Sequence, residues 1–293
     1  MPSPEPAAIL IVANPVAGGF SQRRLNRLAT ALAGHGLGCD IRLTDHAGHL
    51  TAIAANLPPT VRTLVVGGGD GSINEALVGL MGRAATDLPA LAILPFGTAN
   101  VLAHEIGAPF SPERLADRIA AGTRQALHLG AIGERPFALM VSAGFDADVV
   151  HAVDGVSKRR WGKLAYVLAA LRLAARQGGR DVVVEADGDT IVCRLAVVTT
   201  ARHYGGPYVL SRATRATEPG LRLVTLADDR PLTLLKAAIA LGLGRLDRLA
   251  AATDRPVGVA RLGGAGVQMQ IDGDRMATAD AVIRAGRVID VIG

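Results

Sequence analysis

The stretch at residues 65–77, VVGGGDGSINEAL, combines the residue types of a phosphate-binding turn. Its three consecutive glycines let the backbone turn sharply and approach a ligand, because glycine has no Cβ. Ser72 and Glu75 have the spacing of a capping box, which predicts that a helix begins there. The N-terminus of that helix would offer N–H groups and the positive end of its dipole to a phosphate. Asp70 lies inside the turn, and a carboxylate beside a phosphate requires a cation between them, typically a divalent one.

Two common phosphate-binding loops do not match this stretch. A Walker loop has Lys and then Ser or Thr after its last glycine, whereas Ser72 and Ile73 follow Gly71. The dinucleotide-binding fingerprint has its third glycine where this chain has Ser72. A tight strand-to-helix turn with a solvated Asp70 is the alternative to a binding loop.

The first 122 residues alternate apolar, β-branched runs with helical patterns, which predicts a doubly wound parallel sheet. The predicted strands end near Asn14, Thr44, the Asp70 turn and Thr98. Because ligands of such sheets bind outside the carboxyl ends of the strands, we expect these four loops to line one rim. The four strands are predicted at residues 8–13, 39–43, 61–66 and 90–94.

After residue 122 the pattern changes to short strands that are mostly antiparallel. We therefore predict two domains, residues 1–122 with the parallel sheet and residues 123–293 with a β-rich α+β fold, the last strand returning to the first domain. Helical insertions are expected at residues 158–176 and 231–249. The strands of this half are predicted at residues 124–132, 136–142, 181–186, 191–200, 221–226, 257–262, 267–271, 281–284 and 287–292.

Composition limits the class of protein. With 293 residues, 49% of them hydrophobic and 19% charged, the chain can bury a large core and is not disordered. Cys39 and Cys193 have no metal-ligand spacing, which favours a reduced intracellular protein. The first residues lack the features of a signal peptide, and no apolar run reaches the length of a membrane span. The net charge of +5 favours anionic partners without separating nucleotides, nucleic acids and acidic membranes.

Six short motifs, taken together, carry a resemblance to a known family. They are Asn14-Pro15 with Gly18-Gly19, Gly68-Gly69-Asp70-Gly71 with Asn74-Glu75, Gly97-Thr98-Ala99-Asn100, and residues 142–146 (SAGFD), 204–206 (YGG) and 270–274 (QIDGD). In this order and spacing they resemble the bacterial diacylglycerol kinase-like lipid kinases, a group that includes the sphingosine and ceramide kinases. The Asp70 motif alone is shared with NAD kinases and phosphofructokinases. Its combination with residues 96–100 (FGTAN) is the more specific feature.

The resemblance implies an ATP-dependent lipid kinase with its active site in a cleft between the two domains. Asp70 would hold the Mg²⁺ of the phosphates, directly or through water. Asp272 matches the acidic residue that the family is thought to use as general base towards the lipid hydroxyl, and one proton acceptor is what phosphoryl transfer to a hydroxyl needs. The matched nucleotide-binding residues are Asn14, Pro15, Val16, Ala17, Gly18, Thr44, Gly68, Gly69, Asp70, Gly71, Ser72, Ile73, Asn74, Glu75 and Thr98.

The chain departs from the family pattern at three places. Ser72 stands where the family usually has Thr, and Asp274 where it often has Glu. The family also has an Asp-Gly pair, part of a structural Mg²⁺ site, before the strand predicted at residues 221–226. Here Pro219 occupies the place of that Asp, and Glu218, one place earlier, is the candidate ligand of a second metal.

Several of these residues also have a purely structural interpretation. Asp272 is followed by Gly273 between apolar residues, and such a pair is the strongest short signal for a hairpin turn. Asn14 and Pro15 could simply end a strand, and Thr98 could belong to a helix N-cap. The seven histidines show no metal-ligand spacing.

Two segments are candidates for membrane contact. Residues 158–176 combine Lys and Arg with Trp161 and with leucines on another face, which fits a helix packed on the core or one that binds anionic headgroups. Residues 232–243 are apolar, and we expect them to belong to the core rather than to contact lipid.

We therefore predict transfer of the γ-phosphate of ATP to a lipid hydroxyl, with diacylglycerol as the favoured acceptor and phosphatidic acid as the product. The alternatives are an enzyme of the NAD kinase type with a soluble substrate, and a non-catalytic nucleotide- or lipid-binding protein. Mg²⁺ is expected to accompany ATP. The expected partners are a lipid substrate at a membrane surface and a second copy of the chain, but no nucleic acid. The expected location is the cytoplasm, with peripheral attachment to the inner face of the membrane.

Overall fold

The computed structural model describes residues 8–153, 169–170, 172–174, 179–276 and 280–293. The chain divides into two compact units, Met1–Leu127 with Val288–Gly293, and His128–Arg287. The basic helix predicted at residues 158–176 lies outside the described residues, apart from residues 169–170 and 172–174, which are helical. None of the helices in the described ranges has both the length and the apolar composition that crossing a membrane requires.

The first unit is built on a parallel sheet. Its strands are β1 (Ile9–Ala13), β2 (Cys39–Leu43), β3 (Thr63–Gly68), β4 (Ala90–Pro95) and the end of β18 (Ala281–Ile292). They pair in parallel in the order β2-β1-β3-β4-β18. Every residue of β1, β3 and β4 is buried, as is typical of parallel strands that are covered on both faces.

Within the part of the chain that the structure describes, five α-helices accompany this sheet. They are α1 (Gln22–Gly34), α2 (His49–Ala55), α3 (Asp70–Met81), α4 (Val101–Glu105) and α5 (Pro112–Ala121). Helices α1 and α5 share an apolar core with the strands, and α2 packs on α3. The hydroxyl of Ser21 accepts the Arg24 N–H at the start of α1, and Pro112 occupies the first turn of α5, a position that suits its fixed φ.

The second unit is rich in antiparallel strands. One sheet has the strand order β14-β13-β10-β7-β16-β17. In the other sheet the strand order is β18-β15-β8-β9. Strand β5 also pairs with β18, and β6 pairs with β5. One apolar core takes residues from both sheets. The strands are β5 (Gln125–Ile132), β6 (Arg135–Phe137), β7 (Met140–Gly144), β8 (Val182–Ala186), β9 (Asp189–Cys193), β10 (Leu195–Thr199), β13 (Leu221–Leu226), β14 (Ala252–Val257), β15 (Val259–Gly263), β16 (Met269–Ile271) and β17 (Asp274–Met276).

Smaller elements complete the second unit. They are the ribbon of β11 (His203–Tyr204) and β12 (Tyr208–Val209), the helices α6 (Phe145–Ala152) and α7 (Pro231–Gly242), and a 3₁₀ turn at Leu246–Arg248. The predicted class of fold, a parallel α/β part followed by a β-rich part, is confirmed.

Some predicted strands have different bounds. The strand predicted at residues 191–200 is interrupted at Arg194, because β9 pairs with β8 whereas β10 pairs with β7 and β13 in the other sheet. The strand predicted at 257–262 is likewise interrupted at Gly258, between β14 and β15. The two strands predicted between residues 281 and 292 form the single strand β18.

The helix predicted at residues 231–249 ends early, and its predicted burial is wrong. Helix α7 stops at Gly242, and Gly244 follows it with a φ of 61°, a conformation that favours glycine and terminates helices. No residue of α7 is buried. The apolar composition of this segment therefore does not reflect a place in the core.

Candidate active site

Three loops meet at the carboxyl ends of β1, β3 and β4. The Asn14 N–H donates to the Gly67 carbonyl at 2.8 Å, and the Gly19 N–H donates to the Phe96 carbonyl at 2.8 Å. At the neighbouring end of β2, the Thr44 N–H donates to the carbonyl that ends β1, at 2.9 Å. The structure thus brings together the loops of Asn14, Thr44, Asp70 and Thr98.

The Asp70 loop and the Thr98 loop approach each other closely at two glycines, Gly69 and Gly97. A Cβ on Gly97 would lie 2.5 Å from the Gly69 Cα and 2.7 Å from Asn100 Oδ1. Asn100 has a φ of 47°, and its amide holds Gly97 from both sides: Oδ1 accepts the Gly97 N–H at 2.8 Å, and Nδ2 donates to the Gly97 carbonyl at 2.7 Å. Glycine is required here for space between two backbones.

This close approach gives a prediction for Gly97→Ala. The added methyl group would overlap with backbone atoms, which cannot move as a flexible side chain can. We expect the free energy of unfolding to fall by about 1–3 kcal/mol, the usual cost of overpacking. Gly71→Ala is the matched control, because its Cβ would meet nothing within 4 Å and the position is helical. It should be neutral or stabilising by about 0.5–1 kcal/mol. Denaturant unfolding measures both, and equal stability of the two variants would contradict the prediction.

The carboxylate of Asp70 binds the start of another helix. Oδ2 accepts the Val101 N–H and Oδ1 accepts the Leu102 N–H, each at 3.0 Å. Asp70 therefore satisfies two N–H groups in the first turn of α4, which have no partner inside their own helix. The negative charge at this helix N-terminus is also favourable. These two hydrogen bonds link the Asp70 loop to the helix that follows the Thr98 loop. They were not predicted from the sequence.

The predicted capping box at Ser72 is wrong. Helix α3 begins at Asp70, its N-cap is Gly69, and no side-chain hydrogen bond caps it. The N-cap lies three residues earlier than the motif suggested, at Gly69 instead of Ser72, so Ser72 falls inside the first turn of the helix. Its buried hydroxyl instead accepts a hydrogen bond from Asn14 Nδ2 at 3.4 Å, which joins the first and second loops.

The remaining predicted residues of this unit differ in accessibility. Val16 is 81% exposed, whereas Ile73 is only 2% exposed and packs in the core. The Val16 N–H donates to Asn14 Oδ1 at 3.0 Å, which shapes the first loop. The exposed members of the predicted set are Val16, Gly18, Gly71 and Thr98; the half-buried ones are Asn14, Pro15, Ala17, Gly69, Asp70 and Glu75; the buried ones are Thr44, Gly68, Ser72, Ile73 and Asn74.

Asp272 lies in the second unit, in the two-residue turn between β16 and β17. Its φ is 49° and that of Gly273 is 88°, so the predicted hairpin turn is present. The side chain is 9% exposed. Its oxygens accept the N–H groups of Ala138, Leu139 and Met140 at 2.8–2.9 Å. Such hydrogen bonds stabilise the charged carboxylate and fix its orientation.

These three hydrogen bonds also explain a misplaced strand. Residues 136–142 were predicted as one strand, but β6 ends at Phe137 in one sheet and β7 begins at Met140 in the other. The N–H groups of Ala138 and Leu139 donate to Asp272 instead of to a neighbouring strand. A partner more than 130 positions away in the sequence could not be inferred from the local pattern.

A buried polar network supports the Asp272 turn. Gln270 Nε2 donates to Ser142 Oγ at 2.9 Å and to Asp146 Oδ2 at 3.1 Å, and Gln270 Oε1 accepts the Gly273 N–H at 2.7 Å. The hydroxyls of Ser142 and Tyr204 also donate to the Asp146 carboxylate. The three motifs of the second half therefore meet in space. The sequence interpretation gave Asp146 and Gln270 no role, although their presence in motifs was a signal.

Comparison with known families identifies the first half of the chain. Residues 8–132 match the family model described as the diacylglycerol kinase catalytic domain. Residues 8–132 are therefore similar to diacylglycerol kinase catalytic domains. The resemblance to the diacylglycerol kinase-like lipid kinases, predicted from the motifs, is confirmed.

Individual relatives agree with this family. The chain is 35% identical over 141 residues to a "Probable lipid kinase YegS-like" of Chromohalobacter salexigens, over 47% of this chain and 44% of that protein. It is 32% identical over 112 residues to "Lipid kinase YegS" of Escherichia coli K12, over 38% of each chain. The matches thus span about half the length of these curated relatives or less. A crystal structure of a diacylglycerol kinase from Bacillus anthracis str. Sterne superposes on this chain with a TM-score of 0.78. The match covers 97% of this chain and 96% of that one at 19% sequence identity, so the two proteins share a fold.

Asp70 offers a carboxylate for a metal ion that accompanies phosphates. Each oxygen of Asp70 accepts one N–H group, and a carboxylate oxygen has two lone-pair directions. Mg²⁺ is usually held by one or two carboxylates together with phosphates and water, so this donor fits. Across the described residues there is no group of three or more His, Cys, Asp and Glu side chains that could hold a metal.

Glu218 does not fit a second metal site. Its side chain is 65% exposed and lies beside Arg215, with 4.0 Å between Oε1 and Nε. A guanidinium at this distance competes with a cation for the carboxylate.

Proposed function

We propose that this chain is a lipid kinase that transfers the γ-phosphate of ATP to a hydroxyl of diacylglycerol and so produces phosphatidic acid. The observation that carries the proposal is the meeting of three glycine-bearing loops at the ends of β1, β3 and β4, with Asp70 at their centre. The family match of residues 8–132 supports the same conclusion.

The loops of the first unit have the properties that a nucleotide triphosphate requires. The first turn of α3 has N–H groups without intrahelical partners, and they follow a glycine turn that brings no Cβ to the ligand. Asn14, Thr44 and Thr98 contribute polar groups at the same rim. We propose that these loops bind ATP and that Asp70 holds its Mg²⁺. When bound, Mg²⁺ neutralises negative charge on the phosphates.

Asp272 is our proposed general base. The lipid hydroxyl oxygen forms a bond to the γ-phosphorus while the bond from that phosphorus to the β–γ bridging oxygen breaks. The hydroxyl proton passes to the Asp272 carboxylate, and ADP leaves with the bridging oxygen. Three backbone N–H donors keep this carboxylate in one orientation, which proton transfer requires, and Gln270 holds the turn itself by accepting the Gly273 N–H.

A phosphoryl transfer assay tests the proposed function. Purified protein, Mg²⁺ and γ-labelled ATP are offered diacylglycerol, monoacylglycerol, ceramide or sphingosine in mixed micelles, or NAD in solution. We expect label in diacylglycerol. Label in another lipid would support the lipid kinase activity but identify a different acceptor. Label in NAD alone would assign a soluble-substrate kinase, and nucleotide binding without any transfer would indicate a binding protein.

A further inference from the structure

Helix α7 presents an apolar stripe to the surface of the second unit. Leu232, Leu235, Ile239 and Leu243 follow one another at intervals of three or four residues, which places them on one face of the helix. Their exposed fractions are 62%, 58%, 55% and 62%. At a rise of 1.5 Å per residue the stripe is about 16 Å long. We call these four residues the α7 stripe.

The opposite face of the same helix is also apolar. Leu234, Ala237 and Leu241 are half-buried, and α7 packs on β12 and on the 3₁₀ turn that follows it. A helix that is hydrophobic on all sides is normally surrounded by protein or lipid. Within the described residues, however, the α7 stripe is open to solvent, and four large side chains on one element exceed the scattered apolar residues of an ordinary surface.

Basic side chains surround the stripe. Lys236 is exposed at the edge of the stripe, one residue after Leu235. Arg230 precedes the helix and is exposed. Beyond its C-terminus the exposed basic residues are Arg245 and Arg248.

The nearby acidic residues offset this charge only in part. The Thr233 hydroxyl donates to Asp228, which lowers the pKa of that carboxyl, and Asp228 also accepts the Arg230 N–H at 3.0 Å. Asp229 accepts the Gly179 N–H at 2.9 Å. Both are half-buried, whereas Asp247 is exposed. The accessible charge around the stripe is therefore predominantly positive.

We propose that the α7 stripe inserts into the headgroup region of an anionic lipid membrane. This rests on the proposed function, since an acceptor such as diacylglycerol resides in a bilayer. Burial of the four apolar side chains favours binding, and the flanking cations attract anionic headgroups. A second copy of the chain fits this surface less well, because a two-fold interface apposes identical patches and would bring the same cations together.

Vesicle binding of a double variant tests the inference. Leu235→Ser with Ile239→Ser removes the middle of the stripe without adding charge. The matched control is Val192→Ser with Val259→Ser, whose side chains are 60% and 49% exposed on strands of the same unit. We expect the stripe variant to bind phosphatidylglycerol–phosphatidylcholine vesicles about tenfold more weakly or worse, and the control to bind like the wild type. Wild-type binding should also weaken in high salt and on vesicles of phosphatidylcholine alone.

Two results would overturn the inference. One is vesicle binding of the stripe variant equal to that of the wild type. The other is a wild-type dimer that the stripe substitutions convert to a monomer without changing vesicle binding, which light scattering would detect and which would assign the stripe to a second copy.

Activity on a soluble acceptor separates this inference from the proposed function. A short-chain, water-soluble diacylglycerol should be phosphorylated equally by the wild type and the stripe variant, because docking is not needed to reach it. Loss of activity in the stripe variant on vesicles alone supports docking. Absence of transfer by the wild type to any lipid would refute the kinase proposal, while the vesicle-binding comparison would still decide the role of the stripe.

Discussion

Asp272→Asn is expected to lower kcat for lipid phosphorylation by about 10²- to 10⁴-fold, the usual contribution of a general base. Asparagine has nearly the same shape but cannot take up the hydroxyl proton. It also replaces one acceptor oxygen with an NH2 group, so the Ala138 N–H loses its acceptor if the remaining amide oxygen stays with Leu139 and Met140. We therefore also expect a loss of about 1–3 kcal/mol in the free energy of unfolding. Steady-state kinetics and denaturant unfolding measure the two effects separately.

Asp187 provides a matched control for this substitution. It is also followed by glycine in a hairpin turn, has a φ of 51°, and accepts the N–H groups of Gly258 and Val259 at 3.2–3.3 Å. Asp187→Asn should cost some stability and leave kcat unchanged. If Asp272→Asn kept its turnover and lost only stability, Asp272 would be a structural anchor and another group would accept the proton.

Asp70→Ala is expected to reduce turnover by at least about 100-fold and to raise the Mg²⁺ concentration needed for half-maximal rate. The substitution removes the carboxylate that we assign to Mg²⁺. It also leaves the N–H groups of Val101 and Leu102 without their acceptor. Loss of such a cap typically costs about 1–2 kcal/mol of stability. The measurements are the Mg²⁺ dependence of the rate and the melting temperature.

Ser111→Ala separates these two effects. Ser111 caps α5 by accepting the Arg114 N–H at 3.5 Å and lies outside the three loops of the site. Its loss should lower the melting temperature while the Mg²⁺ dependence stays as in the wild type. If Asp70→Ala and Ser111→Ala had the same Mg²⁺ dependence, Asp70 would not bind Mg²⁺, and its role would be limited to capping α4.

The parallel part of the fold was predictable because β1, β3 and β4 are short, apolar and each followed by a turn signal. The runs that became β1 and β3 needed no knowledge of distant residues. In the second half the same approach misplaced several strand ends. Residues 191–200 are continuous in pattern, but Arg194 carries the chain from one sheet to the other, and this depends on neighbours such as β8 and β13.

The site was predictable to the level of its loops, but not to that of its hydrogen bonds. The alternation of strands and helices placed the loops of Asn14, Thr44, Asp70 and Thr98 at one rim. The sequence could not show that Asp70 caps α4, because its partners lie 31 and 32 positions away. The exposure of α7 was also missed, since composition records how apolar a segment is and not what covers it.

The polar network around Gln270 has a consequence for transplanting parts of this protein. The β16–β17 hairpin looks like a movable module of eight residues, Met269–Met276. However, its Gln270 donates to Ser142 and Asp146, which lie far away in the chain, and Tyr204 in turn donates to Asp146. A hairpin grafted from a relative without a matching amide at position 270 would leave buried polar groups without partners. This hairpin is therefore easier to exchange together with the whole second unit than by itself.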